Sequence, residues 1–519
     1  MNDPGSSRRV VSDRACEGDR PDETGDVDVE DLQRLGYAQE LSRSLGAFSN
    51  FAVSFSIICI LAGGITSFQL AFCSVGGAAL GIGWPLVCLL SLLCATAMGQ
   101  IASAFPTAGG LYHWAAILGG RGWGWATAWF NLAGLITVLA AINMGTMHLL
   151  GGVLGPIVGL RDTDASDGNM RLFLIVGVIV ITLSQAFFNH LGIRVTSMLT
   201  DFSGYLILAV TVALTFALLA WAPAIDVTRL ITFSNYSGPA GGDVWPAMTS
   251  MPWLFALGFL HAGYTITGFD ASAHVSEETH LAARQVPRGM IFAVLVSGLA
   301  GWIMVSAITV AIPNMDEAAR QGGNIFFFTI RAVLPRGVAW ALLSGIIIAN
   351  YLCGLATVTS TSRMMFAFAR DGGLPWSNVL KRVSTRHRVP TAAIWTCSLL
   401  AIAFTTYTPV YVTITIVCAI FLYVSYGIPV LLGLVSYRRS WTRMGPFDLG
   451  SWYRPIALIV VLWVATLLIL GMQKPYDLAI RIVIAMLAVM AVLWFAFEKK
   501  RFRGPPVMTA RADDGPPSR

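Results

Sequence analysis

The sequence predicts an all-α integral membrane protein of about twelve transmembrane helices. Three observations carry this. The 519 residues are 55% hydrophobic and only 12% charged, where a soluble domain carries about 25% charged residues. Uncharged blocks of about 20 residues recur along the chain, each long enough to cross roughly 30 Å of hydrocarbon. The basic residues between the blocks alternate in number, as expected when successive loops lie on opposite sides of a bilayer.

The candidate spans are 46–72, 76–102, 122–150, 171–191, 197–222, 249–275, 289–312, 325–369, 391–407, 410–436, 454–471 and 478–497. The eighth block is too long for one helix. Arg331, Pro335 and Arg336 divide it into a short segment and a true span from about Val338. With the amino terminus inside, the inner loops hold Arg121, Arg194, Arg284 and Arg288, the run Arg370 to Arg388, Arg438, Arg439, Arg443, Arg454 and the run Lys499 to Arg503. The outer loops hold fewer. Both termini are therefore expected on the cytoplasmic side of a plasma (inner) membrane, and the even count agrees.

Residues 1–44 are polar and read as a disordered cytoplasmic tail. Spans one to five occupy 45–222, an extracellular loop 223–248, spans six to ten 249–436, spans eleven and twelve 437–497, and a basic tail 498–519. The net charge of +6 serves orientation rather than nucleic acid. The eight cysteines show no metal-ligand spacing, so neither a disulfide framework, a metal site nor a cofactor is expected. No H-E-x-x-H motif, paired aspartates or plausible G-x-S-x-G motif suggests an enzyme.

Two spans are interrupted in corresponding places. In the first, Ala62-Gly63-Gly64-Ile65-Thr66 breaks an apolar run; in the sixth, Tyr264-Thr265-Ile266-Thr267-Gly268-Phe269-Asp270 does so. Each glycine lowers helix propensity by about 1 kcal/mol. Freed N–H groups at a half-helix start suit a carboxylate, and freed carbonyls at a half-helix end suit an ammonium group. Close packing of spans is the competing use of such glycines. The interrupted spans stand five apart. Five is odd, so a five-span repeat would be inverted, which favours a binding site.

Ionisable residues inside spans are few. Asp270 is read either as a proton carrier or as an ion-pair lock, and Arg363 as structural or gating. His148, His261 and His274 read as structural. Thr357, Thr359, Ser360, Thr361 and Ser362 in span eight could help to coordinate sodium or could bond back to their own helix. Asn143 and Asn350 are further polar candidates for contact with a solute.

Four motifs in order carry a resemblance: Phe105-Pro106-Thr107-Ala108-Gly109-Gly110-Leu111-Tyr112 after span two, Gly268-Phe269-Asp270-Ala271-Ser272 through Glu277-Glu278-Thr279 after span six, Val286-Pro287-Arg288-Gly289, and Ser362-Arg363-Met364 through Asp371-Gly372-Gly373-Leu374-Pro375. Over about residues 35–500 the chain resembles the amino acid–polyamine–organocation permeases, and most of all the amino acid/choline branch that includes GABA and choline permeases. The resemblance implies the leucine-transporter fold, two inverted five-helix repeats plus two helices. It implies that Gly63, Gly64 and Ile65 hold a substrate carboxylate, that backbone around Thr265, Ile266 and Thr267 meets an amino group, and that Tyr264 is an aromatic gate. It places Asp270 where relatives carry an acidic residue tied to gating or proton coupling. Span five lacks the lysine that some proton-coupled relatives carry. The expected function is ion-coupled uptake, with H+ or Na+, of a small amino acid or an omega-amino acid such as GABA. Transport of choline or a polyamine, and exchange, stay open as alternatives. The oligomeric state is likewise open.

Overall fold

The computed structural model describes residues 23–158, 168–407 and 411–506. Among the described residues, ten helical segments, the interrupted first span included, are long and apolar enough to cross a membrane. Two shorter ones complete the expected twelve: Thr391–Tyr407, and the sixth span, which is cut short at Thr265. The eighth block divides as expected, into Ile325–Val333 and Arg336–Arg370. A leucine-to-proline step separates the two, since proline cannot donate into a continuing helix.

Span three, Arg121–Val158, and span ten, Tyr411–Ser436, pack along each other. Span seven, Ala282–Ala311, lies against spans one, two and five, and span eight against spans three and five. The centre of this bundle is close-packed and apolar, with a minority of buried polar side chains. Both interrupted spans run through that centre rather than along the lipid-facing rim.

The amino-terminal segment corrects one expectation. Residues 1–22 and 507–519 lie outside the described residues, but 23–44 is not a free tail. Glu23–Arg34 is helical, and Leu32, Leu35, Tyr37 and Leu41 are buried. The Asp28 carboxylate accepts from the Leu281 and Ala282 amides, at 2.7 and 3.0 Å, at the start of span seven. Ser44 and Leu45 amides donate to the Glu278 carbonyl. A few apolar side chains and one carboxylate suffice to dock an otherwise polar segment, because they satisfy backbone donors that a helix start leaves unpaired. The same face holds residues 498–506, with Phe502 buried against Tyr112 and Phe368. It is called the termini face below.

Candidate functional site

Both interruptions are real breaks in helical structure. Span one runs Ala47–Ile58, stops, and resumes as Gly63–Thr66 and Phe68–Val75. The unwound residues are Cys59–Ala62, with Cys59 at φ 23°. This shifts the expected position by one turn: Gly63 and Gly64 begin the second half-helix instead of unwinding. Gly63 is needed for close approach, because a Cβ there would sit 2.9 Å from Thr265 Cα and 2.8 Å from its Oγ1. Gly64 faces elsewhere, and its Cβ would meet Met304 Cε at 3.2 Å and Trp84 at 3.7 Å. Span six runs Met251–Thr265, breaks over Ile266–Asp270 and resumes for one turn, Ala271–His274. Gly268 supplies the left-handed turn at φ +86°, and its amide donates to the Tyr426 hydroxyl at 3.0 Å.

The breaks face one another across a cavity of about 10 Å³ lined by Ile57, Ile58, Ala62, Gly63, Val138, Ile142, Tyr264, Thr265 and Thr267. That is room for about one water. Ile65 and Thr66 line a second space instead, a vestibule of about 640 Å³ open on the face opposite the termini. Its walls include Gln69, His148, Arg171, Arg320 and Tyr411. The Thr66 and Tyr411 hydroxyls, hydrogen-bonded to each other, line the vestibule beside the first break. The Tyr264 hydroxyl lies within reach of the same tyrosine. Breaking one neutral hydrogen bond costs about 0.5–1.5 kcal/mol. Tyr411→Phe is therefore expected to speed labelling of an Ile142→Cys cysteine by a small thiol reagent about 2- to 10-fold. Rates are compared with Ile142→Cys alone and corrected for the native cysteines; unchanged labelling would show that this contact is no barrier.

Toward the termini face the chain is sealed by buried charge. Asp270 accepts from Tyr426 at 2.8 Å and from Asn131 at 2.9 Å, and faces His274 Nε2 at 3.2 Å. Arg363 and Glu278, both fully buried, form a two-pronged pair with both contacts at 3.0 Å. Arg370 grips Glu277 the same way, at 3.0 and 2.8 Å. Asp371 accepts from Tyr37 and Tyr112 at 2.7 Å each and faces His113 at 3.0 Å. Burial alone would raise the Glu277 and Asp371 carboxyls. The contacts with Arg370 at Glu277, and with His113 at Asp371, bring both below the ordinary carboxylate range.

Of the residues singled out in the sequence, Gly63, Tyr264, Thr265 and Thr267 meet at the cavity. Ile266 is buried beside them, its carbonyl 3.5 Å from the Tyr423 hydroxyl. Asn350 stands at the break of span one. Cys59 Sγ donates weakly to its Oδ1 at 3.8 Å, and its Nδ2 is buried without an acceptor among the described residues. Asn143 does not belong to the site. Its amide is tied to Thr182 and reciprocally to Gln185, binding span three to span four. The span-eight hydroxyls of Thr357, Thr361 and Ser362 bond back to their own helix, and Thr359 also reaches Asn189. Glu277, Glu278 and Asp371 stood in the quoted motifs but carried no expected site role. Two adjacent acids just past span six, opposite two arginines seven residues apart in span eight, were the available signal.

Residues 45–497 match the family described as "Amino acid permease". The chain is 34% identical, over 85% of its length and 87% of the relative's, to the protein named amino-acid permease BAT1 of Arabidopsis thaliana. It is 32% identical to the BAT1 homolog of Oryza sativa subsp. japonica, over 86% and 88% of the two chains. To the permease C74.04 of Schizosaccharomyces pombe it is 27% identical, over 96% and 90%.

Proposed function

The chain belongs to the amino acid permease family, within the amino acid–polyamine–organocation superfamily, and on that premise we propose a secondary transporter that carries a zwitterionic amino acid by alternating access, with an omega-amino acid such as GABA within its range. The observation that carries this reading is the meeting of two broken membrane helices at Gly63 and Thr265, beneath a vestibule and above a sealed layer. Unpaired backbone at membrane depth is tolerated only where it lines a cavity. The amides of Gly64 and Ile65, at a half-helix start, suit a carboxylate, and that of Gly63, which donates to the Cys59 carbonyl at 3.2 Å, joins them once that bond opens. The carbonyls ending Met251–Thr265 suit an ammonium group. Spans one and six each open a run of five helices, so the two runs enter the membrane from opposite sides, as an inverted repeat requires.

A cavity of about 10 Å³ holds no amino acid. The solute enters by parting Thr66 from Tyr411, and the breaks close around it. Release toward the termini requires the Asp270, Arg363–Glu278 and Arg370–Glu277 contacts to yield. Asp270, buried and held by three side chains, works here as a lock rather than a proton carrier. The loop arginines and lysines favour termini on the cytoplasmic side, and with the chain in the plasma membrane the vestibule opens outward.

The vestibule favours a carboxylate. Its described lining includes Arg171 and Arg320 and no Asp or Glu, a poor approach for choline or a polyamine. Ion-coupled uptake is tested together with selectivity. In proteoliposomes with proton and sodium gradients set separately, neutral amino acids and GABA are expected to compete for uptake at least about tenfold better than choline or putrescine, a difference of about 1.4 kcal/mol. Choline or putrescine as the strongest competitor would reverse the assignment. Equal uptake with both gradients collapsed and an amino acid trapped inside would make the protein an exchanger.

A further inference from the structure

Span twelve is the helix that the bundle covers least: 17% of its most apolar window is buried. Where it approaches span three near the termini face, the two helices leave an open groove of about 410 Å³ lined by Gly122, Trp123, Trp125, Leu487, Met490 and Trp494. Trp125 and Trp494 stand 5.3 Å apart, centre to centre. Trp125 is almost fully buried, yet its indole Nε1 has no acceptor among the described residues. A buried donor left without an acceptor is costly enough to call for a partner.

The end of the groove is basic. Arg121 adjoins Gly122 and reaches the Phe502 carbonyl at 3.4 Å. Lys499 lies over the Phe495 ring at 5.7 Å, and Lys500 and Arg503 follow in sequence. Glu498, which lies there among the described residues, is matched by Arg501 at 2.7 Å. Span twelve also widens into a π-helical turn at Trp494–Glu498, which swings Phe495 and Phe497 outward, 71% and 63% exposed. An apolar slot and a positive rim thus follow one another in the order of an acyl chain and an anionic headgroup.

We propose that the groove between spans three and twelve binds an anionic phospholipid of the leaflet on the termini side. The inference rests on the membrane placement above and not on the solute site. A second copy of this chain is the other occupant a bilayer offers. Twofold pairing through span twelve would set the two basic rims against each other at the same membrane depth, and like charges oppose that. An anionic headgroup neutralises the rim, at roughly 1 kcal/mol per Lys or Arg near the surface.

The test is native mass spectrometry of the intact chain with dioleoyl phosphatidylglycerol and dioleoyl phosphatidylcholine at equal concentration. The expected result is preferential retention of phosphatidylglycerol. Retention should fall at least about tenfold in R121Q/K499Q/K500Q, and remain in the control R438Q/R439Q/R443Q on another loop of the same face. Leu487→Trp fills the slot from the lipid side without changing charge, and should displace the lipid if the charge variant folds poorly. Equal retention of both lipids, retention unaffected by Leu487→Trp, or efficient disulfide crosslinking of Leu487→Cys between copies would overturn the proposal. Because binding is read without transport, a failed solute assignment leaves this result standing, and the reverse holds.

Discussion

Arg363→Ala is expected to destabilise the protein by about 3–5 kcal/mol, the cost of leaving one partner of a buried pair uncompensated. Nothing else among the described residues replaces the guanidinium. Both Glu278 oxygens point at it from 3.0 Å, and neither side chain sees solvent. Glu278→Ala should cost a similar amount, because it strands the arginine. The double variant R363M/E278L separates structure from gating. Replacing both partners by apolar side chains of similar volume is often neutral, so thermal unfolding in detergent should recover most of the loss. Uptake should not recover, since a pair that must open and re-form on every cycle has been replaced by packing that does neither. Full uptake in the double variant would make the pair merely structural.

The second large effect lies at Gly63. A methyl group there would overlap Thr265 Cα, a backbone atom with no cheap way to move. Overpacking of this kind costs about 1–3 kcal/mol of stability, so Gly63→Ala should unfold at a lower temperature in detergent, and its uptake per folded molecule should fall at least about fivefold because the methyl group takes space the solute needs between the breaks. Gly64→Ala, one residue on, meets only the flexible end of Met304 and a more distant tryptophan edge. It should stay within about threefold of the parent. The contrast matters more than either value. If the two variants behave alike, the glycines serve general helix packing and the facing breaks are not the site.

The glycines also show where the sequence was legible. Two interrupted spans, five apart, could be read from Gly63-Gly64 and from the polar run ending at Asp270. Their placement against each other could not, because helix propensity reports a weak point and not what presses on it. Thus the chain unwinds at Cys59–Ala62, and Gly63 is small for Thr265's sake. Arg363 announced itself as a charge in an apolar span. Its partner did not, since Glu278 lies 85 residues earlier, in the segment between spans six and seven. Arg363 and Arg370 stand seven residues apart, about two helical turns and so on one face, which in retrospect asked for two acids such as Glu277 and Glu278. Asn143 misled because a buried amide in span three suits a solute and a neighbouring helix equally, and Gln185 took it. The amino-terminal segment was missed for a related reason. Leu32, Leu35, Tyr37 and Leu41 are too few to outweigh its average polarity, yet each has a place on the bundle.

The most direct test of the account is a structure determined with the most effective competitor from the uptake panel bound. The account places the solute between the two breaks. Its carboxylate should lie within about 3.2 Å of the Gly63–Ile65 amides and its ammonium group within about 3.2 Å of the carbonyls at Thr265–Thr267, with the cavity grown from its present 10 Å³. Solute bound elsewhere, with Gly63 still packed on Thr265, would contradict it.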